Sequence, residues 1–503
     1  MKALPPEFEP YSWAPSTEEL ARRAGLDPSE IVRFDGNTPP LPLPSSRPGA
    51  IAQALSEVNT YPHGGYPFIH EAIAEYAGVE PENVVLGAGA DDLIMLVARS
   101  FAGPGDVVAI PQQPTYPVYK VSTHLAGATV GAESPVLTFL CRPGNPYGDL
   151  PDLPEARPLA VDEAYFEYAG GETALPLLED GVIVIRTFSK AFGLAGARIG
   201  YLLAEPDTAA AIYERQAPAQ VSTLSVALAL AALRTPPDVA PVVEERERLA
   251  LELRGLGYEP MRSWANFVYI PVDDTEAINE RLLKRGCVVR LQPGGIRISV
   301  RDREDDDRLL AALAGEEEPS GRSVRSVRAT AETTIRVRLG LDGAGRVRVA
   351  TGTGLYDHLL EQLAFHGGLD LVVEGNGDWE TGAHHTAEDT AIALGEALDR
   401  ALGDRRGIAR YGSAVVPMDD ALARAAVDLG GRRGAEIRLA EDPGLARHAL
   451  ESLAHAARMT LHVSAEGRDA HHVAEAAFKA VGRALRDATR QDGAELPSTK
   501  GLL

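Results

Sequence analysis

The stretch His384-His385-Thr386-Ala387-Glu388 recurs 87 residues later as His471-His472-Val473-Ala474-Glu475. Matching small and apolar residues follow each copy at the same spacing: Gly395, Ala397 and Leu398 in the first, and Gly482, Ala484 and Leu485 in the second. Upstream, Leu360-Glu361-x-Leu363-Ala364 pairs with Leu450-Glu451-x-Leu453-Ala454. The segments between alternate as strands do, at Leu369 to Glu374 and Met459 to Ser464. The repetition predicts that the C-terminal part of the chain is a duplicated α+β unit.

The repeated motif carries ligands suited to a metal ion. Neighbouring histidines on a helix point about 100° apart, so one His-His pair cannot easily close on a single ion. His384 with Glu388, or His385 with Glu388, can do so because each pair shares a helix face. We therefore expect each copy to face two metals. Imidazole and carboxylate without thiolate favour manganese, iron or zinc. Metal storage without catalysis, or plain solvated histidines, are the competing interpretations.

Histidine placement and composition divide the chain. Nine of the 12 histidines follow Gly321, and Glu316 to Ser323 mixes a charge run with Pro, Ser and Gly and lacks apolar periodicity. We predict a first domain over residues 1–315, a linker over 316–327 and a second domain over 328–503. Two different chemistries are expected.

The N-terminal part alternates short β-rich runs with apolar-periodic helical stretches. The runs are Asn83 to Gly87, Val107 to Pro111, Leu159 to Val161 and Val182 to Thr187. This alternation predicts an α/β domain with a mostly parallel sheet. After Pro236, a charged helix through Glu244 to Leu253 and strands near 266–272 and 295–300 predict a smaller α+β subdomain.

A lysine follows the last of those runs in an apolar setting. In Arg186 to Tyr201, Lys190 is preceded by Ser189 and followed by Arg198, and the chain has only six lysines. Such a lysine can form a Schiff base while the serine and arginine hold a phosphate. Asp162, at the end of another strand, can keep a pyridine nitrogen protonated. The Gly-rich segment at 87–92 opens a helical run and offers backbone N–H groups to a phosphate, although a plain turn is an equal interpretation.

Charge and cysteine content exclude several classes of protein. Lys and Arg number 49 against 72 Asp and Glu, so the formal charge of −23 excludes nucleic-acid binding by bulk charge. Only Cys141 and Cys287 occur, which excludes a disulfide framework or a cysteine zinc cluster. The longest apolar run, Leu224 to Leu233, is short of the roughly 20 residues of a membrane span, and Met1 to Pro10 lacks a signal-peptide core. We expect a cytoplasmic protein without a membrane or nucleic-acid partner.

Residues 328–503 resemble the imidazoleglycerol-phosphate dehydratase family. Besides the two His-His motifs, the resemblance is carried by Asp357-His358-Leu359-Leu360, Gly407 to Gly412, Leu461-His462-Val463, Phe478-Lys479-Ala480 and Ser498 to Leu503. It implies eight metal ligands, divided into two manganese sites of three histidines and one glutamate: His358, His384, His385, Glu388, His462, His471, His472 and Glu475. His366, His448 and His455 match no ligand position and are expected to be structural.

This resemblance also implies a reaction and a phosphate site. Members of the family dehydrate imidazole glycerol phosphate to imidazole acetol phosphate, with the metals acting as Lewis acids. Glu332 matches the family's acid/base carboxylate, and its alternative interpretation is an ordinary acid at a strand end. Phosphate-binding positions are matched by Arg410, Arg432, Ser498 and Lys500.

Residues 33–305 resemble the fold-type I aminotransferases that use pyridoxal phosphate, and most closely their histidinol-phosphate aminotransferases. The resemblance is carried by the segments around Lys190, Asp162 and Gly87, together with Tyr61-Pro62, Pro114-Thr115-Tyr116, Asn145-Pro146, Asn266-Phe267 and Arg297 to Val300. It implies that Lys190 forms the Schiff base and that Asp162 pairs with the pyridinium. Other implied contacts to the cofactor are Asn145 and Tyr165 at its phenolic oxygen, Tyr116 on its ring, Ala90, Asp91, Ser189 and Arg198 at its phosphate, and Tyr61 from a second subunit. Arg297, assisted by Arg290, is implied to bind a carboxylate or phosphate of the substrates.

One segment departs from the aminotransferase pattern. Residues 142–148 read Arg-Pro-Gly-Asn-Pro-Tyr-Gly where Asn-Pro-Asn-Asn-Pro-Thr-Gly is usual. A threonine-phosphate decarboxylase-like activity, an inactive scaffold and a regulatory sensor are therefore alternatives for this half. A sensor of this kind needs a basic DNA-binding module, and the acidic chain offers none.

The two resemblances meet at one compound, because imidazole acetol phosphate is the product of the second half and a substrate of the first. We expect a bifunctional enzyme of histidine biosynthesis that binds phosphorylated imidazoles and glutamate. The resemblances also imply a homo-oligomer that combines dehydratase trimers in a larger shell with two-fold aminotransferase contacts.

Overall fold

The computed structural model describes residues 5, 8–10, 14–39, 58–59, 61, 65–315, 322–330, 332–343, 345–377, 383–442 and 444–497. The chain divides into two compact units, Met1–Glu318 and Pro319–Leu503, which we call the N-terminal and C-terminal units. The first strand of the C-terminal unit begins at Ser323. The predicted linker over 316–327 is therefore too long at its C-terminal end, because residues 323–327 pair in a sheet.

The N-terminal unit contains nine helices and twelve strands among its described residues. The helices are α1 (Thr17–Ala24), α2 (Pro67–Ala77), α3 (Ala90–Phe101), α4 (Val118–Ala126), α5 (Pro206–Tyr213), α6 (Thr223–Leu233), α7 (Ala240–Gly255), α8 (Thr275–Lys284) and α9 (Arg303–Ala314). The strands are β1 (Val32–Arg33), β2 (Val84–Gly87), β3 (Val107–Ala109), β4 (Thr129–Val130), β5 (Leu137–Cys141), β6 (Leu159–Asp162), β7 (Val182–Thr187), β8 (Gly200–Leu203), β9 (Phe267–Pro271), β10 (Cys287–Val288), β11 (Arg290–Gln292) and β12 (Gly295–Ser299). Short 3-10 segments lie at Pro28–Glu30, Pro81–Asn83, Phe166–Tyr168, Leu175–Asp180 and Ala195–Ala197.

A seven-stranded sheet in the order β2-β8-β7-β6-β5-β3-β4 forms the centre of this unit. β8 runs antiparallel to both of its neighbours, and the other strand pairs are parallel. The sheet is therefore mostly parallel, as the alternating sequence pattern predicts. Every residue of β5, β6 and β7 is buried, because apolar clusters cover both faces of the sheet. Parallel order brings the carboxyl ends of β6 and β7 to one edge, which is where Asp162 and Lys190 follow.

The smaller subdomain contains an antiparallel sheet in the order β11-β12-β9 and the parallel pair β1 and β10. The long helix α7 packs on β9 and on α9. Its core includes Phe34, Leu249, Ile270 and Ile298. The predicted α+β subdomain is thus present.

The C-terminal unit contains four helices and eight strands among its described residues. They are β13 (Ser323–Ala329), β14 (Thr333–Gly340), β15 (Val347–Ala350), α10 (Gly354–Gly367), β16 (Asp370–Gly377), α11 (His384–Leu402), β17 (Tyr411–Met418), β18 (Ala421–Asp428), β19 (Gly434–Leu439), α12 (Ala446–Ala456), β20 (Thr460–Glu466) and α13 (Ala470–Thr489).

Two four-stranded sheets of this unit have the same order and the same strand directions. One is β13-β14-β16-β15 and the other is β17-β18-β20-β19, each with a single parallel pair at the β15 and β19 edge. Helix α10 packs against α13, and α11 packs against α12, so each contact joins a helix from one repeat to a helix from the other. One continuous apolar core spans both repeats.

No helix in the part of the chain that the structure describes has the length and apolar character needed to cross a membrane.

Candidate active sites

Lys190 lies just beyond β7, in a pocket with charged and aromatic neighbours. Its Nζ is 5.6 Å from the centre of the Tyr165 ring. Burial, together with the nearby Arg297 guanidinium, lowers the pKa of the Lys190 amine to about 8. A lysine of this kind is a partly neutral amine near physiological pH and can react with a carbonyl compound.

Asp162 ends β6 and is 4% exposed. Its Oδ2 accepts a hydrogen bond of 2.6 Å from the Tyr119 hydroxyl, and its Oδ1 accepts one of 3.1 Å from the Ala164 N–H. Burial raises the pKa of Asp162 to about 6, against the opposing effect of these two donors. A nearby positive charge would therefore stabilise the ionised form of this buried carboxylate.

A cradle for an anion lies where α3 begins. Gly89 precedes the helix at φ 90°, and a Cβ there would lie 2.8 Å from Nη2 of Arg198. Arg198 pairs at 3.0 Å with the side chain of Asp91, whose other oxygen accepts from Tyr116 at 2.7 Å. The Asp91 carboxylate is thus committed to an arginine and a phenol, so its contribution to binding a phosphate is the helix N-terminal N–H.

Ser189 completes this side of the pocket. Its Oγ accepts a hydrogen bond of 2.9 Å from Thr187 Oγ1, which leaves the serine hydrogen available to a ligand. Ala90 is the first residue of α3, where backbone N–H groups have no partner within the helix.

Arg297 lies in β12 and is 7% exposed, yet it has no carboxylate partner among its hydrogen bonds. Nη1 donates to Asn145 Oδ1 at 2.7 Å and Nη2 donates to the Asp35 carbonyl at 2.8 Å. Nε makes no hydrogen bond within the described residues. Arg290 lies opposite Arg297 in the sheet register. Two adjacent guanidinium groups with an unused buried donor suit an incoming carboxylate or phosphate.

The aromatic residues are distributed unevenly. Tyr116 contacts Asp91 and lies edge-on to Tyr119 at 5.8 Å. Tyr165 is 3% exposed and faces Lys190. Tyr61 is 82% exposed and lines a cavity of about 960 Å³ together with residues from α2 and from 213–221. Its contact with the cofactor of a second subunit stays a prediction.

These residues fit pyridoxal phosphate. The pocket holds an amine of lowered pKa, a buried carboxylate, a glycine whose missing side chain leaves room beside Arg198, and an orphaned arginine donor. Each matches one chemical part of that cofactor or of an amino-acid substrate.

In the C-terminal unit, His358, His471 and Glu475 form a first cluster. Glu475 Oε2 lies 3.5 Å from His358 Nε2 and 3.2 Å from His471 Nε2, and the two imidazoles stack at 5.6 Å. His358 comes from α10 and the other two from α13, so the cluster depends on the packing of these helices.

A second cluster contains His384, Glu388 and His448. Glu388 lies 4.0 Å from His384 and 3.5 Å from His448, whose rings stack at 4.8 Å. His448 Nε2 makes no hydrogen bond within the described residues. The prediction that His448 is structural is wrong, because its position places it among the potential metal ligands.

A signal for His448 was present in the sequence. Leu450-Glu451-x-Leu453-Ala454 follows its counterpart in the first repeat by 90 residues, and His448 follows His358 by the same 90 residues. The His-His motifs are offset by 87 instead. Applying the local offset of α10 and α12 identifies His448 as the counterpart of His358.

The second histidine of each pair points to a different carboxylate. His385 Nδ1 lies 3.1 Å from Glu332 Oε2, and His472 Nδ1 lies 2.7 Å from Asp420 Oδ1. The hydrogen bond with His472 lowers the pKa of Asp420 to about 2. His462 lies exposed on β20. A single chain therefore brings five of the eight predicted ligands into the two clusters and leaves His385, His462 and His472 outside them.

Glu332 lines a cavity of about 290 Å³ with Thr330, His385, Glu388 and Asp389. This cavity adjoins the second cluster through Glu388. The carboxylate and the imidazole of His385 are in contact, and such a pair can exchange a proton with a bound molecule.

Two of the four predicted phosphate contacts can be placed. Arg410, at φ 67°, pairs with Asp428 at 2.7 Å and donates to the Pro497 carbonyl at 2.8 Å. Arg432 is exposed in the turn before β19. Ser498 and Lys500 lie outside the described residues.

The two clusters fit divalent metal ions of borderline hardness. Each presents two imidazole nitrogens and one carboxylate, with all ligand atoms within 4.8 Å of one another, and neither contains a thiol. The paired second histidines resemble the carboxylate and histidine pairs that orient metal ligands.

Comparisons with known proteins assign both units. The model of the family described as imidazoleglycerol-phosphate dehydratase matches residues 351–485, and that of aminotransferase class I and II matches residues 30–134 and 131–313. An imidazoleglycerol-phosphate dehydratase of Salinispora tropica is 50% identical over 204 residues, which cover 36% of this chain and 99% of that protein.

Solved structures resemble the N-terminal unit. A histidinol-phosphate aminotransferase from Sinorhizobium meliloti in complex with pyridoxal-5'-phosphate has a TM-score of 0.54 and 28% identity, covering 62% of this chain and 97% of that one. An L-threonine-O-3-phosphate decarboxylase from Porphyromonas gingivalis has a TM-score of 0.51 at 18% identity, covering 57% and 99%, and shows the shared fold alone. The chain belongs to the aminotransferase class I and II family through its N-terminal unit and to the imidazoleglycerol-phosphate dehydratase family through its C-terminal unit.

Proposed function

We propose that this chain catalyses two consecutive steps of histidine biosynthesis. The C-terminal unit dehydrates imidazole glycerol phosphate to imidazole acetol phosphate with manganese, and the N-terminal unit transaminates that ketone with glutamate to give histidinol phosphate. The observation that carries the proposal is that one chain contains both a lysine site and clusters of imidazoles and carboxylates. The dehydratase family forms imidazole acetol phosphate, and histidinol-phosphate aminotransferases consume it.

In the N-terminal unit the residues divide the work of amino transfer. Pyridoxal phosphate, when bound, supplies an electron sink for breaking a bond at the substrate's α-carbon. Arg297, with its unused Nε, binds a substrate carboxylate or phosphate and fixes the substrate's orientation. Lys190, with its pKa near 8, is the base that takes and returns a proton. Asp162 stabilises positive charge on the ring nitrogen.

In the C-terminal unit the metals, when bound, supply Lewis-acid stabilisation of charge that develops on the imidazole of the substrate. Glu332 holds and releases the protons of the dehydration, since its carboxylate lines the cavity beside the second cluster. Its contact at 3.1 Å with Nδ1 of His385 orients that imidazole. The phosphate of the substrate is bound in this proposal by Arg410, Arg432, Ser498 and Lys500.

Assembly is part of the same proposal. Each cluster offers three ligand atoms, whereas His385, His462 and His472 lie outside both clusters. A second copy of the chain can bring these histidines to the metals and complete their coordination, as in the trimer-based shell expected from the sequence. Two-fold contacts between N-terminal units would bring Tyr61 to a neighbouring phosphate. The two buried free cysteines, Cys141 and Cys287, support a reducing, cytoplasmic location.

The test is product analysis with purified protein, imidazole glycerol phosphate, manganese, pyridoxal phosphate and glutamate. We expect histidinol phosphate. Imidazole acetol phosphate that accumulates would refute the aminotransferase assignment and direct the next assay to threonine phosphate. Unchanged substrate would refute the dehydratase assignment.

Two variants separate the half-reactions. Lys190→Ala is expected to stop at imidazole acetol phosphate, and Glu332→Gln to leave imidazole glycerol phosphate unchanged while still converting added imidazole acetol phosphate. Persistence of full dehydration in metal-replete Glu332→Gln would show that the carboxylate is not the acid or base.

A further inference from the structure

Asn37 is a buried residue in an unusual conformation close to the lysine site. It follows β1, is 1% exposed and has φ 50°, a left-handed conformation that asparagine tolerates better than most residues. Its backbone carbonyl accepts a hydrogen bond of 3.0 Å from Asn266 Nδ2, which fixes the loop against the start of β9. None of the roles assigned above to the cofactor site includes Asn37.

Hydrogen bonds around Asn37 have a defined direction. The Asn37 N–H donates to Ser299 Oγ at 2.9 Å, so the serine oxygen is already an acceptor. Ser299 then donates its own hydrogen to Asn37 Oδ1 at 2.7 Å. With Oδ1 turned to Ser299, the Asn37 Nδ2 group faces Tyr165 and donates to its hydroxyl oxygen at 3.0 Å.

The phenol of Tyr165 is consequently an acceptor toward Asn37 and keeps its own hydrogen for another group. Burial raises the pKa of Tyr165 to about 12, so the phenol keeps its hydrogen near neutral pH. The ring is held edge-on to Phe267 at 5.2 Å and faces Lys190. Rotation of the Tyr165 O–H toward Asn37 would point it at the Asn37 Nδ2 group, which is itself a donor, and is therefore unfavourable.

We propose that Asn37 is a positioning residue that turns the hydroxyl hydrogen of Tyr165 toward the phenolic oxygen of pyridoxal phosphate. This inference rests on the proposed aminotransferase function. Tyr165 touches the cofactor in that function, whereas Asn37 acts only through the direction of the Tyr165 hydrogen bond.

The experiment compares Asn37→Asp with Asn37→Ala in the full-length protein. In Asn37→Asp the new carboxylate oxygen accepts the Tyr165 hydrogen and withdraws it from the cofactor. In Asn37→Ala the tyrosine loses a donor and remains free to donate. A donor to the phenolic oxygen stabilises its negative charge and lowers the pH at which the bound cofactor's visible absorbance changes. We expect Asn37→Asp to raise this pH midpoint by about one unit or more and Asn37→Ala by clearly less.

Pyridoxal phosphate affinity, measured by equilibrium dialysis, gives a second readout. We expect Asn37→Asp to weaken binding roughly tenfold. A merely structural role for Asn37 predicts the opposite ranking, because alanine removes more contacts than the isosteric aspartate. A larger effect of Asn37→Ala on both readouts would overturn the inference.

Tyr165→Phe separates the hydrogen bond from the added charge. The negative charge of Asn37→Asp acts on the cofactor in either background, whereas the redirected hydrogen exists only when Tyr165 is present. The midpoint shift caused by Asn37→Asp should therefore be smaller in the Tyr165→Phe protein, and equal shifts would refute the inference. Failure of the unmodified protein to bind pyridoxal phosphate would instead refute the proposed function.

Discussion

Burial acts in opposite directions on the two ionisable groups that follow β6 and β7. It raises the pKa of the Asp162 carboxyl to about 6 and lowers the pKa of the Lys190 amine to about 8. Both pKa values thereby lie closer to neutral pH, where a small change in the surroundings decides whether each group is charged. The pocket suits a ligand that carries a carbonyl carbon, with which the Lys190 amine can react, and a ring nitrogen that can be protonated beside the Asp162 carboxylate.

The lowered pKa of Lys190 predicts unusual reactivity in the cofactor-free protein. Only the neutral amine is a nucleophile, so modification by a small amine-reactive reagent should rise with a midpoint near pH 8. Peptide mass spectrometry across a pH series measures this midpoint. In Asp162→Asn the midpoint should fall further, because the Asp162 charge favours the protonated lysine. A midpoint near the ordinary lysine value of about 10.4 would contradict the prediction.

His448 provides a second test at the level of a single side chain. We expect His448→Ala to weaken metal binding at the second cluster and leave the first cluster intact, because it removes one of two imidazoles from His384, Glu388 and His448. Isothermal titration with manganese should show one of two sites lost or weakened by roughly tenfold or more.

The matched control is His455→Ala, which removes an exposed imidazole from the same helix. It should bind manganese as the unmodified protein does. Equal losses in both variants would mean that helix α12, and not the imidazole of His448, is what the metal requires.

Sequence patterns located most side chains of the sites and misplaced others for a geometric reason. Lys190 and Asp162 follow from their positions at the ends of buried strand runs. The two His-x-x-x-Glu pairs follow from local spacing, since i and i+4 share a helix face. The pattern left open whether His384 or His385 pairs with Glu388, and the structure places His384 in the cluster and His385 against Glu332. Contacts such as Asn37 with Tyr165 join residues 128 positions apart, and no local pattern encodes them.

At the level of elements, two glycines set the distance between paired helices. A Cβ at Gly482 in α13 would lie 2.2 Å from the Leu363 carbonyl oxygen of α10, and one at Gly395 in α11 would lie 2.7 Å from the Leu453 carbonyl oxygen of α12. These are the helix pairs that carry the two clusters. The repeated glycine noted in the sequence therefore marks a close backbone approach in each repeat.

Gly482→Ala is expected to separate α10 from α13 and to destabilise the C-terminal unit by about 1–3 kcal/mol or more, because backbone atoms cannot yield as a flexible side chain can. Thermal unfolding and manganese binding at the first cluster should both weaken. The control is Gly354→Ala at the start of α10, where a Cβ meets nothing within 4 Å. Unchanged unfolding of Gly482→Ala would show that the helices can move apart without cost.

The sequence predicts the positions of fully buried strands well, but it does not predict the boundary between the two units to the residue. The run Val182 to Thr187 coincides with β7, and Leu159 to Val161 is one residue shorter than β6. Fully buried parallel strands leave long apolar runs that stand out from their surroundings. The segment Ser323 to Val327 falls within the predicted linker instead, because a half-exposed edge strand rich in Ser and Arg lacks such a run.

On the scale of the whole molecule, each unit has its own core and its own ligand sites. A ligand that binds only the folded form of one unit raises the stability of that unit by mass action. Calorimetry of the full chain should therefore show pyridoxal phosphate raising one unfolding transition and manganese raising another. Lys190→Ala should reduce the first shift and His358→Ala should reduce the second. A single transition raised equally by either ligand would mean that the two units unfold as one cooperative body.

The three-ligand clusters have a thermodynamic consequence for how the protein is handled. An ion held by two imidazoles and one carboxylate must take the rest of its coordination from water, substrate or a second chain. Where a second chain supplies it, metal loading and self-association become linked equilibria, and each strengthens the other. The metal affinity of this protein is then a function of its own concentration, and dilution alone would release manganese from an otherwise intact fold.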